Sequence, residues 1–109
     1  MKKWRLTKQA ELSLLDIAKW TVENFGKTQA FVYRDALISR INNLASDTPP
    51  LGKSCRQLLQ DKNELNNLFY YFEGKHYIVY RINKNNIDIL DFFHERSDLI
   101  FHIKKLSSK

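Results

Sequence analysis

Residues 87–99 read Ile-Asp-Ile-Leu-Asp-Phe-Phe-His-Glu-Arg-Ser-Asp-Leu, and this stretch decides the fold of the second half of the chain. Its first seven residues are rich in Ile, Leu and Phe, which is typical of a largely buried β-strand. The next five, His94 to Asp98, are polar, and three of them carry a formal charge. The stretch therefore predicts a strand that ends in a charged turn. That turn is either a hydrogen-bonded corner or a surface that contacts a target.

Two more runs of β-type residues precede this strand, Leu68–Phe72 and Tyr77–Ile82. The segments between the runs, residues 73–76 and 83–86, are short and contain Gly or Asn, as hairpin turns do. We therefore expect a three-stranded antiparallel meander that ends at Phe93.

The two faces of this sheet follow from alternation, since successive side chains of a strand point to opposite sides. On the middle strand, one face is expected to carry Ile78, Tyr80 and Ile82, and the opposite face Tyr77, Val79 and Arg81. On the last strand, one face is expected to carry Ile87, Ile89, Asp91 and Phe93, and the opposite face Leu90 and Phe92. One face is therefore predicted to be apolar and covered by helices, and the other only partly apolar.

The first half of the chain predicts a short strand and two helices. A strand over Trp4–Thr7 leads into a helix over Lys8–Phe25, with Thr7 as N-cap and Gly26 as the left-handed residue that ends it. Thr28 is predicted to cap a second helix that ends near Ser46, before Pro49 and Pro50. Two amphipathic helices joined by two or three residues form an antiparallel hairpin.

Residues 51–64 are predicted to be a long connection with one helical turn, and Leu99–Leu106 a short C-terminal helix. In that helix Leu99, Ile103 and Leu106 share one side, which can dock on the sheet. The expected fold is α+β: an N-terminal strand and an antiparallel helical hairpin packed on an antiparallel sheet (β-α-α-β-β-β), followed by the short C-terminal helix.

The composition limits the possible classes of protein. A chain of 109 residues accommodates one domain, here expected over residues 1–109. With 18 Lys plus Arg against 12 Asp plus Glu, its formal charge is +6, which favours nucleic acids or acidic proteins as partners. No segment approaches the roughly 18 apolar residues of a membrane span, and the start does not read as a signal peptide. The lone Cys55 suits a reducing compartment, so we expect a cytoplasmic protein without a membrane partner.

In this order of elements, the chain resembles the RelE/ParE superfamily of bacterial toxins, and most closely its ParE branch. The segments that carry the resemblance extend over nearly the whole chain: Leu6-Thr7 before Ala10-Glu11, Ile17-Ala18, Tyr33, Leu51-Gly52-Lys53-Ser54-Cys55, and Val79-Tyr80-Arg81-Ile82. The most specific segment is His94 to Leu99 after Ile89-Leu90, which is similar to the ParE signature His-x-Arg-x-Asp-Leu.

The resemblance implies a toxin of a type II toxin–antitoxin pair, with DNA gyrase as target and a cognate antitoxin as partner. Nucleic acid is then contacted only indirectly, through the target complex. Two alternatives remain open: a RelE-like ribosome-dependent mRNA endoribonuclease, and a non-toxic member that acts as a binding module or in plasmid stability.

The residues that RelE-like nucleases use for catalysis are largely missing. Neither Leu68 nor Tyr70 supplies the catalytic lysines of that branch, Tyr77 stands where an arginine is expected, and Ile100 and Phe101 occupy the region of the catalytic tyrosine. The resemblance therefore implies an inhibitor and no catalytic residue. Arg81, His94 and Arg96 remain the candidates for an unusual nuclease.

The candidate residues for contact with the target are Arg81, His94, Arg96, Asp98, Phe101, Lys104 and Lys105. The candidates for antitoxin binding are the aromatic residues Trp4, Trp20, Tyr33 and Tyr77. Structural roles compete for several of them, since Asp98 or Ser97 can cap the last helix, Arg96 can pair with a carboxylate, and His94 can hydrogen-bond at the strand end. The sequence shows no metal-ligand spacing and predicts no cofactor.

Overall fold

The computed structural model describes residues 2–58 and 67–107 and confirms the predicted α+β fold. Three α-helices are present in these ranges: α1 Lys8–Phe25, α2 Lys27–Ala45 and α3 Leu99–Ser107. A one-turn 3-10 helix covers Cys55–Gln57, within the connection where one helical turn was expected, but the same connection also contains a short strand, Lys53–Ser54, that was not expected. The strands are β1 Lys3–Leu6, β2 Lys53–Ser54, β3 Leu68–Glu73, β4 His76–Ile82 and β5 Asn86–His94. Residues 59–64 of the predicted connection lie outside the described residues.

The five strands form one mixed sheet in the order β1-β5-β4-β3-β2. The predicted antiparallel meander β3-β4-β5 is present, but β1 pairs with β5 in parallel, so the sheet is not antiparallel throughout. The helices α1 and α2 carry the chain from β1 at one edge to β2 at the opposite edge. The expected four-residue turn at 73–76 is also shorter, because Glu73 and His76 are paired strand residues and leave only Gly74-Lys75 between them.

A β-bulge at Leu90 changes the predicted faces of β5. Val79 pairs with Asp91 and Tyr80 with Ile89, so Leu90 is an extra residue without a partner on β4. An extra residue breaks the alternation, and side chains after it change sides. Phe92 consequently joins the main core beneath the helices instead of facing away from them, which corrects the prediction from alternation.

Gly26 alone connects α1 and α2, where two or three residues were expected. It has φ +90° and ψ 169°, a conformation available essentially only to glycine. Its N–H donates to the Val22 carbonyl and its own carbonyl accepts from the Ala30 N–H. Because one residue closes α1 and opens α2, Thr28 is not the cap of α2. Thr7 does cap α1, accepting from the Ala10 N–H at 3.1 Å.

The main core lies between the helical hairpin and one face of the sheet. Its most deeply buried members are Ala10, Leu37, Ile41, Ala45, Ile78, Ile87 and Ile89. A smaller cluster on the other face consists of Cys55, Leu68 and Ile103, with Leu58, Tyr70, Leu90 and Leu99 packed against it. Helix α3 therefore docks on the face of the sheet away from α1 and α2. Of the three residues predicted to dock, Leu99 and Ile103 belong to this cluster, whereas Leu106 does not.

Candidate functional site

The polar turn after β5 is held in one conformation by hydrogen bonds. The Glu95 N–H donates to the Lys75 carbonyl at 2.8 Å, which ties this turn to the β3–β4 turn. The Arg96 N–H donates to His94 Nδ1 at 3.1 Å. The Ser97 hydroxyl donates to the His94 carbonyl at 2.6 Å. His94 is therefore hydrogen-bonded at the strand end, as the sequence indicated.

The same turn starts α3 and leaves one arginine exposed. Asp98 Oδ1 accepts from the Phe101 N–H at 3.1 Å, so Asp98 is the N-terminal cap of α3. Arg96 is exposed and forms no salt bridge with a residue in 2–58 or 67–107, so the predicted pairing with a carboxylate is absent from this part of the chain. The turn is thus hydrogen-bonded internally and carries an exposed guanidinium.

Helix α3 has a buried and an exposed side. Ile103 is fully buried, and the His102 imidazole stacks on Phe93 with ring centroids 4.2 Å apart. Phe101 is 52% exposed, and Lys105 Nζ lies 5.4 Å from the centre of its ring. We call the exposed residues of the turn and of this helix the C-terminal surface: Glu95, Arg96, Asp98, Ile100, Phe101, Lys104 and Lys105.

Arg81 does not belong to the C-terminal surface. It lies on β4 opposite Leu68 and Asp88, on the side of the sheet away from the hairpin. His76, the residue of β4 that pairs with His94, is five positions away. At about 3.3 Å per residue, Arg81 and the turn after β5 are roughly 17 Å apart. The basic residues that the sequence proposed together therefore fall at two separate places.

The sequence missed a cluster around His76. The Tyr33 hydroxyl lies 2.6 Å from His76 Nδ1, and the rings of His76 and His94 meet edge to face at 5.3 Å. Trp20 packs edge to face against His94 at 6.4 Å. Trp20, His76 and His94 line an open cleft of about 520 Å³, which we call the imidazole cleft. The sequence does contain a feature that could have revealed this cluster: a two-residue hairpin turn at Gly74-Lys75 makes His76 the first residue of β4.

The environment of His76 favours the neutral imidazole. Burial lowers its pKa to about 4, and the nearby His94 contributes in the same direction. Burial also raises the pKa of Tyr33, which accepts the Lys75 N–H at 3.0 Å. Two rings that do not ionise near neutral pH are thus placed beside the cleft.

The four aromatic residues proposed for antitoxin binding are not gathered in one place. Trp20 and Tyr33 line a second cleft of about 430 Å³ next to the first. Trp4 packs against the core and its indole N–H donates to Asn42 Oδ1 at 2.8 Å. Tyr77 lies on the other face of the sheet, where it packs against Phe72 with ring centroids 4.9 Å apart.

Apart from Trp20, the helical hairpin exposes apolar side chains that the sequence analysis did not single out. Phe31 and Leu15 are 68% and 65% exposed, and a partner would remove this area from water. The large apolar residues exposed on α1 and α2 are Leu12, Leu15, Trp20, Val22, Phe25, Phe31 and Val32.

Within residues 2–58 and 67–107, no group of three or more His, Cys, Asp or Glu side chains is placed to hold a metal ion. In the same ranges, no helix is both long enough and apolar enough to cross a membrane.

A model of the family described as ParE toxin of the type II toxin–antitoxin system, parDE, matches residues 4–99. The chain belongs to the ParE toxin family. It is therefore a toxin of a type II toxin–antitoxin system, with the fold of the RelE/ParE superfamily. The match includes the whole turn after β5 and ends at the first residue of α3.

Two solved structures share the fold of this ParE-family chain. One is from the chromosomal ParDE toxin–antitoxin system of P. aeruginosa, with a TM-score of 0.66 and 14% identity over 86% of this chain and 96% of that one. The other is from the RelBE2 toxin–antitoxin complex of Mycobacterium tuberculosis, with a TM-score of 0.59 and 20% identity over 85% of this chain and 96% of that one. Identities this low establish the fold alone. No curated protein matches the chain.

Proposed function

We propose that this toxin inhibits DNA gyrase in the cytoplasm, contacts it through the C-terminal surface, and is neutralised by a cognate antitoxin. The proposal rests mainly on one observation: the turn after β5 is hydrogen-bonded and exposes Arg96. This turn lies in the His-x-Arg-x-Asp-Leu segment, which falls within the residues matched by the family model. A pre-ordered turn loses little conformational entropy on binding, so a projecting guanidinium there is suited to be an interface anchor.

The rest of the C-terminal surface supports a protein target. Phe101 and Ile100 are exposed apolar side chains next to Lys104 and Lys105 on α3. Exposed aromatic side chains are enriched at protein interfaces, and Arg96 at the start of this surface is of the basic type that is enriched with them. The role of His94 in this proposal is to shape the turn through Nδ1 rather than to transfer a proton.

The dispersion of the titratable and basic groups supports an inhibitor rather than a nuclease. A metal-independent ribonuclease needs its basic groups and its acid or base around one phosphate. Here Arg81 and Arg96 lie at separate places, so the basic groups do not surround one phosphate. The ribonuclease alternative rests on Arg81, His94 and Arg96, of which Arg81 lies on the same sheet face as Tyr77.

For the antitoxin we propose an acidic, extended partner that wraps around the toxin. The four candidate residues support wrapping, because Trp20 and Tyr33 line one cleft while Trp4 and Tyr77 lie elsewhere on the molecule. A formal charge of +6 favours an acidic partner.

The test is inhibition of purified gyrase supercoiling by the toxin and by Arg96→Ala. We expect Arg96→Ala to raise the half-inhibitory concentration about tenfold, as loss of an interface anchor does. Lys84→Ala is the matched control, because it removes an exposed cation from the turn at the other end of β4. Equal loss in both variants would mean that only net charge matters. Inactivity of the toxin toward gyrase, with cleavage of mRNA on translating ribosomes, would favour the ribonuclease.

A further inference from the structure

Side chains from three neighbouring strands meet at the end of the sheet where β5 begins. Arg5 on β1 is the ladder partner of Asp88 on β5, and Asp88 is also the partner of Arg81 on β4. Ladder partners point to the same side of a sheet, so these three residues share the face away from the helical hairpin. Lys3 precedes Arg5 by two residues on β1 and lies on that face as well. We call the three cations Lys3, Arg5 and Arg81 the basic row.

Hydrogen bonds fix the carboxylate at the centre of the basic row. Asp88 Oδ1 accepts from Arg5 Nε and, at 2.8 Å, from Asn86 Nδ2. Asp88 Oδ2 accepts from Asn83 Nδ2 at 2.9 Å. The Asp88 side chain is only 15% exposed. Because three donors surround this carboxylate, it orients Arg5 and repels an approaching anion less than an open carboxylate would.

The cations of the basic row are available to a ligand. A guanidinium has five N–H donors, and Arg5 uses only Nε among the described residues, with its side chain 73% exposed. Neither Lys3 nor Arg81 forms a salt bridge with a residue in 2–58 or 67–107. Lys84 is exposed in the adjoining turn, but it is not paired in the sheet, so the ladder does not fix its place and it is not part of the row.

The spacing of the basic row suits the phosphates of a nucleic-acid duplex. Neighbouring strands are about 4.8 Å apart, so Arg5 and Arg81, with β5 between them, are roughly 10 Å apart at the backbone. Lys3 lies roughly 7 Å from Arg5 along β1. Duplex DNA carries one phosphate charge per about 1.7 Å of its axis, so roughly six phosphates lie along 10 Å. Each cation of the row can therefore face a phosphate of its own.

The surroundings of the basic row favour duplex DNA over a protein or a single strand. Among the described residues, no exposed large apolar side chain belongs to the row or to the turn 83–86. Protein interfaces have an apolar core, whereas protein–DNA interfaces are more polar and more positively charged. Trp4, between Lys3 and Arg5, packs against the core and donates its indole N–H to Asn42. The row therefore lacks the aromatic platform on which single strands stack.

We propose that the basic row binds the phosphate backbone of duplex DNA without sequence preference. Lys3, Arg5 and Arg81 each neutralise one phosphate. This contact goes beyond the indirect contact with nucleic acid that the resemblance implies, because it needs neither gyrase nor the antitoxin. It also lies at the end of β5 opposite the turn that carries Arg96, so the C-terminal surface remains open to a protein target.

The experiment is fluorescence anisotropy of a labelled duplex of about 20 base pairs, titrated with the toxin at about 50 to 200 mM NaCl. We expect a Kd on the order of 10⁻⁵ M at about 100 mM salt. The logarithm of the affinity should fall with the logarithm of the salt concentration with a slope of about −2.7, the value for three phosphates. Single-stranded DNA and RNA of the same sequence should bind about fourfold more weakly, because a single strand releases fewer counterions per phosphate.

Substitutions in the basic row test which cations make the contact. Arg5→Gln and Arg81→Gln should each lower the duplex affinity about eightfold at about 100 mM salt and reduce the slope by about 0.9. Lys3→Gln should do the same, and it breaks no salt bridge within residues 2–58 and 67–107, so it remains informative if loss of the Arg5–Asp88 pair disturbs the fold. Lys19→Gln, the matched control, removes an exposed cation from α1 and should change the affinity less than about twofold.

Three outcomes would overturn the proposal. They are no salt-dependent binding of the duplex, equal losses in Lys19→Gln and the row variants, and tighter binding of the single-stranded RNA than of the duplex. The proposed function is tested separately. A toxin that binds the duplex but does not inhibit gyrase would contradict only the proposed function, and a toxin that inhibits gyrase but does not bind the duplex would contradict only the DNA contact.

Discussion

The imidazole of His76 lies between Tyr33 and His94 with only 7% of its surface exposed, and this packing requires the neutral ring. Burial penalises a charged ring first, and such a ring would also face His94 and Lys75, although Glu95 would partly offset this. The free energy of unfolding should therefore depend on pH through this one residue.

Acidification from pH 6.5 to 4 should destabilise the fold. The pKa of His76 is about 4 in the folded state and 6.5 as an ordinary histidine, so the unfolded chain takes up the proton first. The stability that depends on neutral His76 is fully present above pH 6.5 and is lost toward pH 4. At pH 5 the loss should be about 2 kcal/mol. Urea unfolding at pH 5 and at neutral pH measures it.

His76→Phe is the control for this pH effect, since it keeps an aromatic ring and leaves Tyr33 bonded to Lys75 and Glu73. Its stability should change less between the two pH values. The buried Asp91 has a raised pKa and acts in the opposite direction in both proteins, so it cancels in the comparison. Equal pH dependence of wild type and His76→Phe would contradict the role of His76.

A second residue-scale prediction concerns Gly52 of the Leu51-Gly52-Lys53 loop. A Cβ at this position would lie 2.8 Å from the Tyr70 carbonyl oxygen and would collide with the Tyr80 hydroxyl. The Tyr80 side chain cannot move aside, because the residue is 97% buried. Gly52→Ala should reduce the free energy of unfolding by about 2–3 kcal/mol. In a double-mutant cycle, Tyr80→Phe should recover part of that loss. Additive effects of the two substitutions would show that the hydroxyl is not the obstacle.

At the scale of secondary-structure elements, sequence patterns predicted what depends on local chemistry. The cap at Thr7, the strands β3 to β5 and the docking side of α3 follow from side-chain type and spacing alone. The bulge at Leu90 did not, because the apolar run continues through it and only the pairing with Val79 and Tyr80 reveals the extra residue. Thr28 failed as a cap because Gly26 adopts a conformation that links both helices directly.

Helix α3 permits a matched pair of substitutions on its two sides. Ile103→Ala should cost about 2–4 kcal/mol, because Ile103 is fully buried against Cys55 and Leu68. Phe101→Ala should change stability by less than about 0.5 kcal/mol, because its ring is 52% exposed. Under the proposed function, Phe101→Ala should nevertheless weaken gyrase inhibition. Full inhibition by folded Phe101→Ala would remove Phe101 from the proposed target contact.

At the scale of the whole molecule, the order of elements and the fold class were predictable, but the grouping of candidate site residues was not. The sequence listed Arg81 beside His94 and Arg96, whereas the strand register places Arg81 at the other end of β4. It listed Trp4, Trp20, Tyr33 and Tyr77 as one binding set, and the fold distributes them over three places. Grouping of this kind depends on long-range pairing, such as the parallel β1–β5 pair, which no local pattern encodes.

The most direct measurement is the amount of linear plasmid DNA recovered after gyrase, relaxed plasmid, ATP and the purified toxin are incubated together and the gyrase is denatured. The account predicts that cleaved DNA accumulates with the toxin concentration, accumulates less with Arg96→Ala, and accumulates normally with Lys84→Ala. Normal supercoiling and no cleaved DNA in the presence of folded toxin would contradict gyrase as its target.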